Sequence, residues 1–492
     1  MPSESSAWDV APPAYNLKEF KRQLFQVLAM LLFLKFTKGY GILVYIPIAI
    51  TAAASAHRQV AMLFSVYLFC TMYVNTTPAI FSRSGMFLIV VRFIFLIFFF
   101  VLSSKASGKK WPLALRPVSL LLMYLVFQAG ASMAGWAPLV SESKIVLMAV
   151  FILAGASACS IGAAGEVDVD KIRATVLVCA FFFIVVSLLL YPFPGISRSM
   201  DMTALNVYFA HLSEAEKLQR LQEMAGLYNG VSFHSQSLGS TAAVLFSFVL
   251  ADYVFNIRRK AKLYYAIMLC APVVVYMTGS RTAMGSLLFA VVFCAFLSQG
   301  AKTAPGSKKA WIMSVVMGFS VLALVLFAAA PGFKQRVVDF SMKYGKDKQF
   351  DVDEMLSTRM GKIEQSMYYF RQSPIIGNGF QVSKSMQESK FDSLAQLASA
   401  PIEKGFMPAF VLEEGGIIGA ALMLAFVLAL YTAAKKNGCY CFLATMSTFL
   451  VSNCGEGTFF SVTATGGVCW AACFSALMVD IGRQKQLSHQ VY

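Results

Sequence analysis

The stretch YYAIMLCAPVVVYMTGSRTAMGSLLFAVVFCAFL, Tyr264 to Leu297, decides the fold. Two apolar runs, each close to the roughly 20 residues that cross a bilayer core as a helix, flank a short polar hinge. That hinge carries one arginine, Arg281. The pattern recurs along the whole chain. Its 492 residues are 58% hydrophobic and 13% charged, with a mean hydropathy of +0.66, whereas soluble domains carry about a quarter charged residues. In lipid the backbone must satisfy itself, so only helices and closed barrels span. Barrel strands would alternate over segments of about ten residues, and these runs are continuous. The sequence therefore predicts an all-α integral membrane protein, a polytopic bundle of about 12–14 transmembrane helices.

Apolar runs fall at 24–36, 40–56, 60–75, 85–104, 114–135, 145–164, 172–191, 236–257, 263–279, 282–299, 311–330, 412–434, 439–453 and 462–481. Lys and Arg cluster in alternate short connections, among them SSKASGKKW, IRRKAK, SKKA and AAKKNG. Under the positive-inside rule these connections are cytoplasmic, and alternation puts both termini on that side. The expected organisation is a tail at 1–23, membrane helices at 24–191, a medium external loop at 192–235 and central helices at 236–330. A large external loop at 331–411, C-terminal helices at 412–482 and a tail at 483–492 complete it. The polar start reads as a cytoplasmic tail, and no cleavable signal peptide is expected.

The net charge of +16 thus encodes topology rather than a nucleic-acid partner. Ten cysteines lie almost entirely within apolar runs and lack metal or redox spacing, and the four histidines are not paired at ligand spacing. No metal site and no cofactor are expected.

Both external loops carry helical patterns. SEAEKLQRLQEMAG, 213–226, has Ser213 and Glu216 at capping-box spacing and Gly226 as a stop. In the large loop Leu356, Met360, Ile363, Met367 and Phe370 mark one apolar helix face that ends before Pro374. Such a helix lies along the bilayer surface or over the mouth of the bundle.

Several residues invite a chemical reading. Arg281 either snorkels to headgroup phosphates or is a fixed cation for an anionic ligand. Arg92, inside FLIVVRFIFLIFF, is either a phosphate ligand or half of an ion pair within the bundle. Glu414 stands where the macrodipole of a helix start favours a carboxylate.

Four stretches in order resemble the O-antigen ligase and polymerase superfamily: NGVSFHSQSLGS (229–240), TGSRTAMGS (278–286), STRMGKIEQSMYYFRQSPIIGNGF (357–380) and LEEGGIIGA (412–420). In the third an arginine opens a helix that ends in a Pro-x-x-Gly-x-Gly-Phe turn. The fourth matches the Glu-x-Gly-x-x-Gly opening of the next span. In the first, Gln236 stands where asparagine is common.

The resemblance implies a helical membrane enzyme with a cavity beneath the large loop. It would take a glycan linked to undecaprenyl diphosphate on the external leaflet and pass it to an acceptor hydroxyl without a metal. The leaving diphosphate gathers negative charge, which arginines would stabilise in a low-dielectric site. Arg281 is the first candidate for that clamp and Arg359 the second, the alternative for Arg359 being a solvated helix face. Arg92 is a third candidate ligand. An acceptor hydroxyl needs a base. Ligases of the family place a His–Asn pair about nine residues before the Glu of the fourth motif. Here Gly405 and Phe406 occupy that register. IEKGF resembles the variant in polysaccharide-polymerising relatives, which makes Glu403 and Lys404 acceptor-side candidates; Glu403 alternatively forms a surface ion pair. His234 is either a packed or capping residue or a base and ligand for phosphate or sugar.

Expected partners are the lipid-linked glycan, an acceptor glycan, the lipid bilayer and a regulator of chain length. A polymerase reading leads, with a ligase or protein glycosylator next. A lipid-linked oligosaccharide transporter would want charges across the full bilayer depth and an internal repeat, and neither is evident.

Overall fold

The computed structural model describes residues 16–37, 65, 67–69, 71–72, 76, 115–164, 168–198, 228–232, 234–256, 262–300, 352–382, 384, 405–461 and 464–488. Among the described residues the chain is helical and contains no strand; a lone antiparallel bridge joins Thr76 to Ser232. The principal helices are α1 (Leu17–Phe36), α2 (Leu115–Ser132), α3 (Pro138–Ala164), α4 (Val169–Leu189) and α5 (Ser235–Phe255). They continue with α6 (Lys262–Met277), α7 (Arg281–Gly300), α8 (Val352–Gln372), α9 (Met407–Lys436), α10 (Tyr440–Ser452) and α11 (Ala464–Ser488). Six described helices are long and apolar enough to cross a membrane, and three shorter apolar helices accompany them. The protein is an all-α polytopic membrane protein.

Helix α5 is the axle. Every residue from Leu238 to Phe255 is buried, and α4, α6, α7, α10 and α11 all pack against it. Its first turns are Gly239, Ser240, Thr241, Ala242 and Ala243. Small side chains let neighbouring backbones approach closely, the usual way helices associate where lipid supplies no hydrophobic drive. The outer helices show the converse. Leu288, Val292 and Phe296 form an exposed stripe on α7, and Ile417, Leu424 and Leu428 are exposed on α9. Outward-facing apolar rows of this kind suit contact with acyl chains. Helix α4 changes to π-helical winding over Phe181–Val186 where it meets α6.

Three sequence expectations need adjustment. The polar residues before position 24 are partly helical, because the Asn16 side chain accepts a hydrogen bond from the Glu19 amide (3.1 Å) and starts α1 at Leu17. The run expected at 412–434 begins earlier, at Met407, and is interrupted at Gly416. On α8, Met360 is 44% exposed while Ser366 is the buried residue; Ile363, Met367 and Phe370 are half-buried. That helix packs on α9. The helix expected at 213–226 lies outside the described residues.

One end of the bundle is closed by paired charges. Asp252, fully buried near the end of α5, accepts from Arg173 Nε of α4 (3.1 Å) and from the Tyr264 hydroxyl of α6 (2.6 Å). Arg173 also reaches Asp170 at 2.9 Å. Beside them Asp480 of α11 accepts from the Phe442 amide (2.9 Å) and from Asn256 Nδ2 (3.3 Å). Five helices meet in this cluster, each charge facing a partner, as a buried ion requires.

Candidate functional site

The opposite end is built from irregular backbone. His234 occupies the N-cap position of α5 in an extended conformation, half-buried, and its side chain does not cap the helix. The α6–α7 turn lies against the first turns of α5: a side chain at Gly239 would meet Thr278 Oγ1 at 2.9 Å and Ser280 Cβ at 3.0 Å. Gly279 takes φ +66° to make that turn. The Ser280 hydroxyl accepts from the Ala283 amide (3.3 Å) and starts α7 at Arg281. Arg281 and His234 therefore stand at one end of the bundle, on the first residues of adjacent helices. The half-burial of Arg281 places it at the rim rather than in the packed interior.

Residues 453–461, between α10 and α11, complete this end. The Asn453 side-chain oxygen accepts from the amides of Thr458 (2.8 Å) and Phe459 (2.7 Å), an Asx-type turn that ties the loop into a knot. The Asn453 carbonyl accepts from the Met407 amide at 3.1 Å, which fixes the start of α9. Gly455 abuts Thr282, the neighbour of Arg281, so closely that a Cβ would fall 1.9 Å from its hydroxyl. Glu456 is buried in the same loop. Phe460 stacks on Tyr124 of α2 at 5.6 Å. The loop thus runs from the start of α7 to the face of α2.

The third and fourth sequence motifs prove to be one structural unit. Helix α9 breaks at Gly416, where φ 59° and ψ −160° are non-helical. A break at membrane depth frees carbonyls and amides that nothing in lipid can satisfy. The turn Pro374–Gln381, which follows α8, supplies the partners. Asn378 and Gly379 amides donate to the Glu413 and Glu414 carbonyls (2.9 and 3.2 Å), while Ile417 and Ile418 amides donate to the Pro374 and Ile375 carbonyls (2.9 and 3.4 Å). Side chains are excluded on both sides of this contact. A Cβ at Gly377 would fall 2.2 Å from the Glu414 carbonyl oxygen, and one at Gly416 2.3 Å from that of Ile375. Both glycines have positive φ, the region open to glycine at little cost.

The turn is clamped from behind by the α2–α3 hairpin. Ser132 Oγ accepts from the Phe380 amide (3.1 Å), Ser141 Oγ donates to the Phe380 carbonyl (2.9 Å) and Lys144 Nζ donates to the Gln381 carbonyl (2.9 Å). Phe380 packs edge-on against Phe460 and Tyr124. In front of the break, Glu414 is fully buried and Glu413 nearly so. Glu414 lies two residues before the break at Gly416, in the first segment of α9. Tyr124 and Gln128 of α2 face this region: Gln128 Nε2 would lie 2.3 Å from a Cβ at Gly415. The Tyr124 hydroxyl and both polar atoms of Gln128 are buried without a hydrogen-bond partner among the described residues.

Arg281 and His234 stand at the starts of the packed helices α7 and α5, and Arg359 lies on α8, whose far end is tied into the same end of the bundle. Arg92, Glu403 and Lys404 lie outside the described residues. Gly405, where description resumes, takes φ +81° and leads directly into α9. Sequence reasoning missed Asn378, Gln128, Lys144 and Glu456. Each is a polar residue in or beside an apolar run, a signal visible in the sequence, but their convergence depends on contacts between distant segments.

The described residues thus form an apolar helical bundle with polar groups and broken backbone gathered at one end. Residues 266–404 match the family model described as O-Antigen ligase, so this part of the chain is similar to that family. The match covers a little over a quarter of the 492 residues. It includes Arg281, Arg359, Glu403 and Lys404, and leaves His234, Arg92 and the α9 break outside. That likeness supports an O-antigen ligase- or polymerase-type function in general terms. No curated protein sequence matches the chain.

Proposed function

We propose that the protein polymerises oligosaccharide repeat units carried on undecaprenyl diphosphate, at the external face of a bacterial inner membrane, with both termini cytoplasmic. The observation that supports this reading is the placement of Arg281 and His234 at the starts of the packed helices α7 and α5, with the 453–461 loop against Thr282 at the start of α7 and Arg281 inside the O-antigen ligase match. In the reaction an acceptor sugar hydroxyl attacks the anomeric carbon of the donor glycan. The new C–O bond forms as the bond to the diphosphate oxygen breaks, and the diphosphate leaves with the electron pair. Arg281, with Arg359 and Arg92, neutralises the charge that builds on that oxygen; a fixed guanidinium suits it because its planar fork makes paired, charge-assisted bonds. The hydroxyl proton passes to a base, for which Glu403 and His234 are the candidates, with Lys404 beside the acceptor. A separate chain-length regulator fits a polymerase of this kind.

Polymerisation is preferred over ligation to lipid A-core or to a protein hydroxyl because Gly405 and Phe406 bring no imidazole to the register where ligases of this superfamily carry one. The test is glycan display in two recipient strains, one lacking its repeat-unit polymerase and the other its ligase. Restoration of a ladder in the first strain alone is the expected result. Rescue of the second alone would replace the polymerase reading with the ligase one.

A further inference from the structure

We propose that Asn378 is a positioning residue for the transfer reaction: it sets the angle of α8, and with it the place of Arg359, against the start of α9. The inference rests on the proposed function, in which Arg359 serves the donor diphosphate and the segment leading into α9 serves the acceptor.

The geometry converges on this one side chain. The Asn378 carboxamide has two N–H donors, and both are committed: Nδ2 donates to the Tyr369 carbonyl on the last turns of α8 (3.0 Å) and to the Glu413 carbonyl before the α9 break (3.2 Å). Its backbone amide donates to the same Glu413 carbonyl (2.9 Å), and its own carbonyl accepts from the Trp136 amide at the α2–α3 tip (3.2 Å). Trp136 meets the Tyr369 ring edge-on, with centroids 4.8 Å apart. Three elements are thus pinned to a residue that is only 8% exposed. Four backbone hydrogen bonds already hold the turn in the α9 break. The side chain adds something separate, the tie from that break to the body of α8.

Leverage makes the tie matter. Arg359 precedes Tyr369 by ten residues on one continuous helix, which at 1.5 Å per residue is a lever of about 15 Å. A tilt of about 5° at the Tyr369 end therefore moves the Arg359 backbone by about 1 Å. A misplacement of that size can cost about a hundredfold in rate. Donor binding, to which several cations contribute, suffers less than turnover.

The experiment uses purified full-length protein turning over a lipid-linked repeat unit. Asn378→Ala is expected to lower kcat by about 10- to 100-fold while donor KM changes less than about threefold. Asn378→Asp, which sets a carboxylate against two carbonyls, is expected to lose more. Asn378→Ser keeps one donor, falls between wild type and Ala, and carries the test where the Ala protein does not accumulate. Thr448→Val removes a buried bond between α10 and α5, Thr448 Oγ1 to Ser247 Oγ at 2.9 Å, and controls for loss of stability alone; its kcat stays at the wild-type level.

The decisive arm is a double-mutant cycle. If Asn378 acts through α8 on Arg359, adding Asn378→Ala to Arg359→Ala lowers kcat by less than about twofold further. Two losses that multiply would overturn the positioning role while leaving Arg359 in place. An Arg359→Ala protein with wild-type turnover would instead remove the clamp from the proposed function.

Discussion

The two ends of this bundle solve the same physical problem in opposite ways. At the Asp252 end, charged groups buried among helices are matched one to another: Arg173 with Asp252 and Asp170, and Asp480 with a backbone amide and Asn256. The helices there remain regular. At the Arg281 end the backbone itself is irregular, with a break inside α9, positive-φ turns at Gly279, Gly377, Gly379 and Gly405, and a knotted loop at 453–461. Buried Tyr124 and Gln128 sit beside that break without hydrogen-bond partners among the described residues. Satisfied pairs fix a structure. Irregular backbone that stays stable only because a second segment is inserted into it is a costlier arrangement, and such arrangements persist chiefly where function needs them.

This contrast predicts that substitutions at the two ends fail differently. The largest loss of stability belongs to Asp252→Ala, which leaves Arg173 buried without its principal counter-charge. Breaking a buried pair from one side costs about 3–5 kcal/mol, and a steep fall in the melting midpoint in detergent would show it. A midpoint near that of wild type would mean that Asp170 alone suffices for Arg173, and the Asp252 end would lose its role as the anchor. Gly416→Ala comes next. Its strained φ costs about 1–3 kcal/mol, and the clash with the Ile375 carbonyl adds to that. Hydrogen exchange at Ile417 and Ile418 should accelerate as the inserted turn loosens; unchanged exchange would show that the break is held by something other than that turn. Thr448→Val should be smallest, about 1 kcal/mol for one buried bond, with activity retained.

Much of the architecture was legible in hydropathy. Apolar runs read at 236–257, 282–299 and 439–453 correspond to helices at Ser235–Phe255, Arg281–Gly300 and Tyr440–Ser452. The bilayer makes this so, since continuous apolar sequence has essentially one backbone solution there. The turn that ends the third motif was legible in Pro-x-x-Gly-x-Gly-Phe, but its insertion into the fourth motif was not. Nothing local in LEEGGIIGA announces a break, because the groups that stabilise it arrive from Pro374–Gly379, some forty residues upstream. The pairing of Arg173 with Asp252 is similarly hidden: the partners lie on different helices, 79 residues apart. Residue type was visible in each case, and distance along the chain concealed the partner.

The central claim is that the Arg281 end performs chemistry and the Asp252 end holds the fold. Its most direct test is Arg281→Ala in purified protein, with turnover of the lipid-linked repeat unit and the melting midpoint measured on the same sample. The account predicts a fall in kcat of about 100- to 1,000-fold, the scale of losing one charge-stabilising donor, with the midpoint unchanged. Wild-type turnover at an unchanged midpoint would make Arg281 a headgroup anchor and contradict the account.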